Sequence, residues 1–177
     1  SPEAKTIFDQ AQTILGKNDF LETIFNGPQE KLTSTAYCQP AILTFSIAAL
    51  KAFETNPKFK NFTVRFAAGL SLGEYSALVA AGAITLEEAV YLVRKRGEFM
   101  EEEALKSPGS MASILGLDLA VVKDICRETK AEIANINCPG QIVVSGGIKE
   151  IEKAAKLAEE QGAKRVILLE VSGAFHS

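Results

Sequence analysis

The chain has 177 residues, 47% of them hydrophobic and 23% charged, with a formal net charge of -3. That length allows one good core, or a medium domain with a small insertion, and the mildly acidic balance argues against a nucleic-acid binder. A single histidine and three scattered cysteines, Cys38, Cys126 and Cys138, exclude a short-spaced zinc site and suit a reducing compartment, so no metal and a cytoplasmic location are expected.

Residues 3–16 predict an amphipathic helix, with Ala4, Ile7, Phe8, Ala11, Ile14 and Leu15 on one face and Gly16 ending it. Residues 19–30 predict a loop with a helical turn, closed by Gly27 and Pro28. A second helix is expected over 34–53, apolar nearly all round and therefore buried. Its longest apolar stretch, 40–50, is short and broken by Thr44 and Ser46, so neither a membrane span nor a signal-peptide core is expected. Residues 63–68 (TVRFAA) predict a buried strand, and 73–81 a helix. Thr85 with Glu88 forms a capping box that opens a helix running to about Leu105. Beyond the Ser107-Pro108-Gly109 stop come a strand at 111–117, a helix at 120–129, strands at 131–137 and 141–145, a helix at 149–161 and a strand at 165–171. This β-α-β-β-α-β order is that of a ferredoxin-like unit.

Gly69-Leu70-Ser71-Leu72-Gly73 lies between the predicted strand and helix. In a G-x-S-x-G turn the glycines allow a close backbone bend, the serine hydroxyl stands exposed, and the next N–H, here that of Leu72, can face an oxyanion. The other reading is a glycine-rich turn with an incidental serine. A serine nucleophile needs a base, and His176 is the only histidine. It follows a predicted strand end, with Ala174 and Phe175 expected to turn it inward, although a histidine near a chain end can equally be a surface or capping residue.

Arg96 falls on the same helical stripe as Ala89, Val93 and Met100, facing the core, whereas Arg94 is expected to form a solvated ion pair with Glu98. A core-facing arginine requires an anion: an internal carboxylate, or a substrate carboxylate held by two parallel hydrogen bonds.

These residues lie in stretches 35–43 (TAYCQPAIL), 69–82 (GLSLGEYSALVAAG), 93–100 (VRKRGEFM), 137–145 (NCPGQIVVS) and 171–176 (VSGAFH). In that order they resemble bacterial malonyl-CoA:acyl carrier protein transacylases, and more broadly the acyltransferase domains of fatty acid and polyketide synthases. The resemblance implies an α/β fold: an α/β-hydrolase-like large subdomain over 1–107, a ferredoxin-like small subdomain over 108–171, and a return to the large subdomain at 172–177. It implies ping-pong transfer of malonyl from coenzyme A to the phosphopantetheine thiol of acyl carrier protein. Ser71 is then the nucleophile, His176 the base, Arg96 the carboxylate clamp and Leu72 N–H an oxyanion donor, with no cofactor beyond the coenzyme A thioester. Phe175 is expected to disfavour a branched methylmalonyl group. Leu70 stands where the family pattern has histidine, and the family's glycine- and glutamine-rich first strand and later elements do not occur in these residues, so a fragment is expected.

Two other readings use the same residues. One is a serine esterase or patatin-like hydrolase; the other is a truncated, non-catalytic module that docks a carrier protein. Lys123, Lys149, Lys153 and Lys156 are candidates for meeting an acidic carrier, or plain solubility residues.

Overall fold

A computed structural model describes residues 1–17, 19–59, 63–171 and 173–177. The protein is α/β and divides into two compact units, Ser1–Phe99 and Met100–Ser177.

The first unit is helical. Helix α1 (Pro2–Leu15) starts with Ser1 as its cap and stops at Gly16, whose left-handed φ of 60° suits a residue without Cβ. The segment read as a loop with one turn instead forms two short helices, α2 (Phe20–Asn26) and α3 (Gln29–Thr33). They lead into α4 (Thr35–Glu54), and a 3-10 turn (Pro57–Phe59) follows. Helix α5 is Gly73–Ala80, and α6 (Leu86–Lys106) begins in this unit and runs into the second. Ile7 and Ala11 of α1, Phe20 of α2, Leu43 and Ile47 of α4, and Ala89, Val90 and Val93 of α6 make one buried cluster.

Helix α4 is long and apolar enough, by length and composition, to cross a membrane, which the shorter stretch read from sequence did not suggest. Eight of its residues are buried in the unit's own core. It is not buried all round, as its apolar composition implied: Ile42 is 49% and Phe45 66% exposed.

The larger correction concerns 63–68. These residues form no strand and are exposed, Phe66 to 92%. Their β-branched and aromatic composition suits a pleated, half-buried position, but a strand exists only with a hydrogen-bonded neighbour. Among the described residues the first unit supplies none.

The capping box forms as expected. Thr85 N–H donates to Glu88 Oε2 at 2.7 Å, and Glu88 N–H donates to Thr85 Oγ1 at 3.1 Å. The Thr85 backbone N–H, then its hydroxyl, hold the Glu88 carboxyl below its ordinary range. Removing the hydroxyl that accepts from Glu88 N–H, Thr85→Ala should lower urea-unfolding stability by about 1 kcal/mol, the usual worth of an N-cap side chain.

The second unit holds a four-stranded sheet: β1 (Ser110–Leu115), β2 (Glu132–Cys138), β3 (Gln141–Gly146) and β4 (Arg165–Leu168), in the order β2-β3-β1-β4. Every neighbouring pair is antiparallel. Helices α7 (Leu119–Thr129) and α8 (Ile148–Glu160) connect β1 to β2 and β3 to β4. Val122, Ile125 and Cys126 of α7, and Ile151, Ala154 and Ala158 of α8, bury against Ala112, Ile114, Ile142 and Val144 of the sheet. Both helices thus supply one face of a single core. Strand β4 ends three residues before the expected position, although Leu169 N–H still donates to Met111 O at 2.9 Å.

Candidate active site

Among the described residues, Ser71 is one of three non-glycine residues with positive φ, at 52°. Such a conformation costs about 1–3 kcal/mol and is held only where the surroundings over-determine it. Here the surroundings are glycines. A Cβ on Gly69 would sit 2.0 Å from the Gly73 carbonyl carbon and oxygen, so the two ends of the turn can meet only if Gly69 has no side chain. Gly73 N–H donates to Leu70 O at 2.8 Å and Glu74 N–H to Ser71 O at 3.2 Å, carrying the turn directly into α5. The positive end of that short helix therefore lies behind Ser71. Leu70 points to solvent, 65% exposed.

Arg96 reaches this turn from α6. Its Nη2 donates to Ser71 Oγ at 2.7 Å, and its Nη1 donates to Gln39 Oε1 of α4. Both partners are neutral. Among the described residues no carboxylate pairs with Arg96, so the internal salt bridge that a core-facing arginine could have made is not its arrangement. A cation without a counter-charge, aimed at a strained serine hydroxyl, is a ready receptor for an anionic group beside that hydroxyl.

The approach of α6 to α4 that makes this possible rests on three contacts. Gly97 comes first: a Cβ there would lie 2.4 Å from Thr35 O and 2.8 Å from Ala36 Cα, so the two helices touch backbone to backbone. Thr35 Oγ1 donates to Gly97 O at 3.1 Å across the same contact. The third contact follows from Pro40 inside α4. Proline has no N–H, which leaves the carbonyl four residues earlier, that of Ala36, without its helical donor. Arg94 Nη1 supplies one at 2.6 Å.

Arg94 is thus not the solvated residue read from its spacing to Glu98. The ion pair exists, with Nε to Oε1 at 2.7 Å, but the Arg94 side chain is only 16% exposed and its guanidinium lies over the Tyr37 ring, 5.2 Å from the centroid. Lys95, then Arg94, hold the Glu98 carboxyl below its ordinary range.

Gln39 was missed by sequence reading. It lies inside a matched stretch but showed no feature of its own, and its 5% exposure emerges only from the packing of α4. The available signal was Pro40: a polar residue beside a proline within an apolar helix marks an irregular, hydrogen-bonding turn.

His176 belongs to the second unit. Its backbone also has positive φ, 61°. The segment before it is pinned within that unit, because Gly173 pairs with Pro108 in an isolated bridge and a Cβ on Gly109 would lie 2.6 Å from Ala174 N and Cβ. Contrary to the inward packing expected from Ala174 and Phe175, His176 is exposed. Ser71, Leu72 and Arg96 therefore share one site in the first unit, and His176 is carried by the second. Among the described residues no cluster of histidine, cysteine and acidic side chains could hold a metal ion.

The chain matches the family model described as acyl transferase domain over residues 9–177. It is 51% identical over 181 residues to the malonyl CoA-acyl carrier protein transacylase of Bacillus subtilis, an alignment covering 99% of this chain and 56% of that protein. It resembles the solved acyl-carrier-protein S-malonyltransferase of Bartonella henselae with a TM-score of 0.88 at 41% identity, covering 100% of this chain and 57% of the other. A malonyl-transacylase solved in complex with a type II PKS acyl-carrier protein is similar at a TM-score of 0.87 and 36% identity, covering 98% of this chain and 56% of that one. The chain spans about half the length of the curated relatives it matches.

Proposed function

Because the chain belongs to the acyl transferase domain family, we propose that it carries the malonyl-transfer site of an enzyme that moves malonyl from coenzyme A to the phosphopantetheine thiol of an acyl carrier protein, for fatty acid synthesis in the cytoplasm. One observation carries the reading: Arg96, with no carboxylate paired to it among the described residues, donates to the hydroxyl of the strained Ser71. An esterase has no need of a half-buried cation beside its nucleophile. An enzyme whose acyl group ends in a free carboxylate does.

In the first half-reaction Ser71 Oγ attacks the thioester carbonyl and His176 takes the hydroxyl proton. Leu72 N–H, at the head of α5, donates to the oxyanion. The carbon–sulfur bond breaks, and the departing thiolate takes the proton from His176 and leaves as coenzyme A. Arg96 moves from Ser71 Oγ to the malonyl carboxylate, fixing the acyl group by its far end. In the second half-reaction the carrier's thiol loses its proton to His176 and attacks the malonyl ester, and Ser71 recovers that proton as its bond to carbon breaks. No cofactor is needed beyond the thioester. Two relatives' names support the substrate and the carrier.

The parts divide accordingly. Residues 1–107 belong to an α/β-hydrolase-like large subdomain with the nucleophile turn, 108–171 form a ferredoxin-like small subdomain, and 172–177 return the base to the large one. The β2-β3-β1-β4 order supports the small-subdomain assignment.

Incubating the full-length protein with malonyl-CoA should add one malonyl group to the peptide bearing Ser71, located by tandem mass spectrometry. Absence of the adduct would leave the non-catalytic docking module as the better reading.

A further inference from the structure

We infer that Gln39 is the positioning residue that aims Arg96, and that its neutrality keeps the guanidinium's charge available to the acyl carboxylate. The inference rests on the malonyl-transfer reading and deepens it.

The geometry assigns one function to each edge of the guanidinium. Nη1 is held by Gln39 Oε1 and Nη2 faces Ser71 Oγ. A free arginine side chain has four rotatable torsions; an acceptor on one terminal nitrogen removes most of that freedom and turns the other nitrogen toward the turn. Gln39 can do this because it is itself fixed. It is 5% exposed, precedes Pro40, and sits on the stretch of α4 that Gly97 and the Arg94 bond to Ala36 O hold against α6.

The choice of amide over carboxylate matters. Glutamate would have the same length and one equivalent oxygen. It would form an ion pair with Arg96 and cancel the charge that an incoming acyl carboxylate needs. An amide oxygen accepts the hydrogen bond and leaves the charge uncancelled. The site therefore uses a neutral anchor for a cation whose counter-ion arrives with the substrate.

Gln39→Glu and Gln39→Leu separate the two parts. Both are compared with the parent full-length protein for loading from malonyl-CoA and from acetyl-CoA, with kcat and KM resolved and thermal midpoints recorded. Gln39→Glu should lower the malonyl-to-acetyl ratio of kcat/KM by about 10-fold or more, with the loss mainly in malonyl KM, the size expected for one hydrogen bond to a charged group. Gln39→Leu should lower the ratio too, through malonyl kcat as well as KM, because the guanidinium is no longer aimed. A merely structural role predicts equal losses for both substrates that follow the thermal midpoint, and that result would overturn the inference. So would an unchanged ratio in Gln39→Glu. A parent protein that takes up no malonyl at Ser71 overturns the transfer reading and this inference together, whereas normal parental loading with an unchanged ratio overturns this inference alone.

Discussion

His176→Ala should lower kcat/KM for malonyl loading of Ser71 by about 10²- to 10⁴-fold, the range for removing a positioned general base. The serine hydroxyl is a weak nucleophile at neutral pH, and Arg96 beside it does not substitute for a base, since a guanidinium accepts no proton. What Arg96 can do is stabilise negative charge on Oγ, so a residue of activity should survive and rise as pH increases. Stopped-flow release of coenzyme A across pH 6–9 checks both the size of the loss and the shape of its profile. The same variant separates the transferase from a patatin-like hydrolase, whose serine is served by an aspartate. Activity retained in His176→Ala would remove the histidine from the mechanism. The positive φ of 61° at His176, and the glycines that fix the backbone before it, give this histidine a constrained placement that a frayed terminal residue would not have.

The parts of the molecule written in local pattern were legible from sequence. The Thr85–Glu88 box forms with both reciprocal bonds, and the β-α-β-β-α-β order of the second unit yields an antiparallel sheet with both helices on one core. Ser71 and Arg96 were legible for different reasons. One sits in a motif whose glycines are sterically required, and the other breaks an apolar stripe that had no use for a charge. What escaped reading depends on contacts far apart in sequence. Arg94 looked like half of a surface ion pair because spacing to Glu98 is local information. Its bond to Ala36 O exists only because Pro40, on another helix, left that carbonyl without a donor. Gln39 meets Arg96 across 57 positions. Residues 63–68 failed in the opposite sense: their composition states a preference for a sheet, but a ladder needs a neighbour, and no local pattern says whether one is present.

Arg96→Ala should cost malonyl loading about 10²-fold in kcat/KM, and acetyl loading far less, reversing or abolishing the preference between them. The reasoning starts from what the guanidinium touches. It donates to the Gln39 amide oxygen and to the Ser71 hydroxyl, and no internal carboxylate depends on it for charge compensation among the described residues. Removing it therefore takes one hydrogen bond from Gln39 and strands no buried anion, so the stability loss should stay near the ~1.5–3 kcal/mol of one hydrogen bond to a charged group. The kinetic loss should exceed this because it combines two effects. The malonyl carboxylate would enter the site unpaired, and the acyl group would lose the contact that sets its carbonyl against Ser71 Oγ. Acetyl presents no carboxylate, so neither effect applies to it. Competition between malonyl-CoA and acetyl-CoA, read from the masses on the Ser71 peptide, measures this directly. An unchanged malonyl preference in Arg96→Ala would show that the carboxylate is bound elsewhere and that Arg96 serves the serine alone.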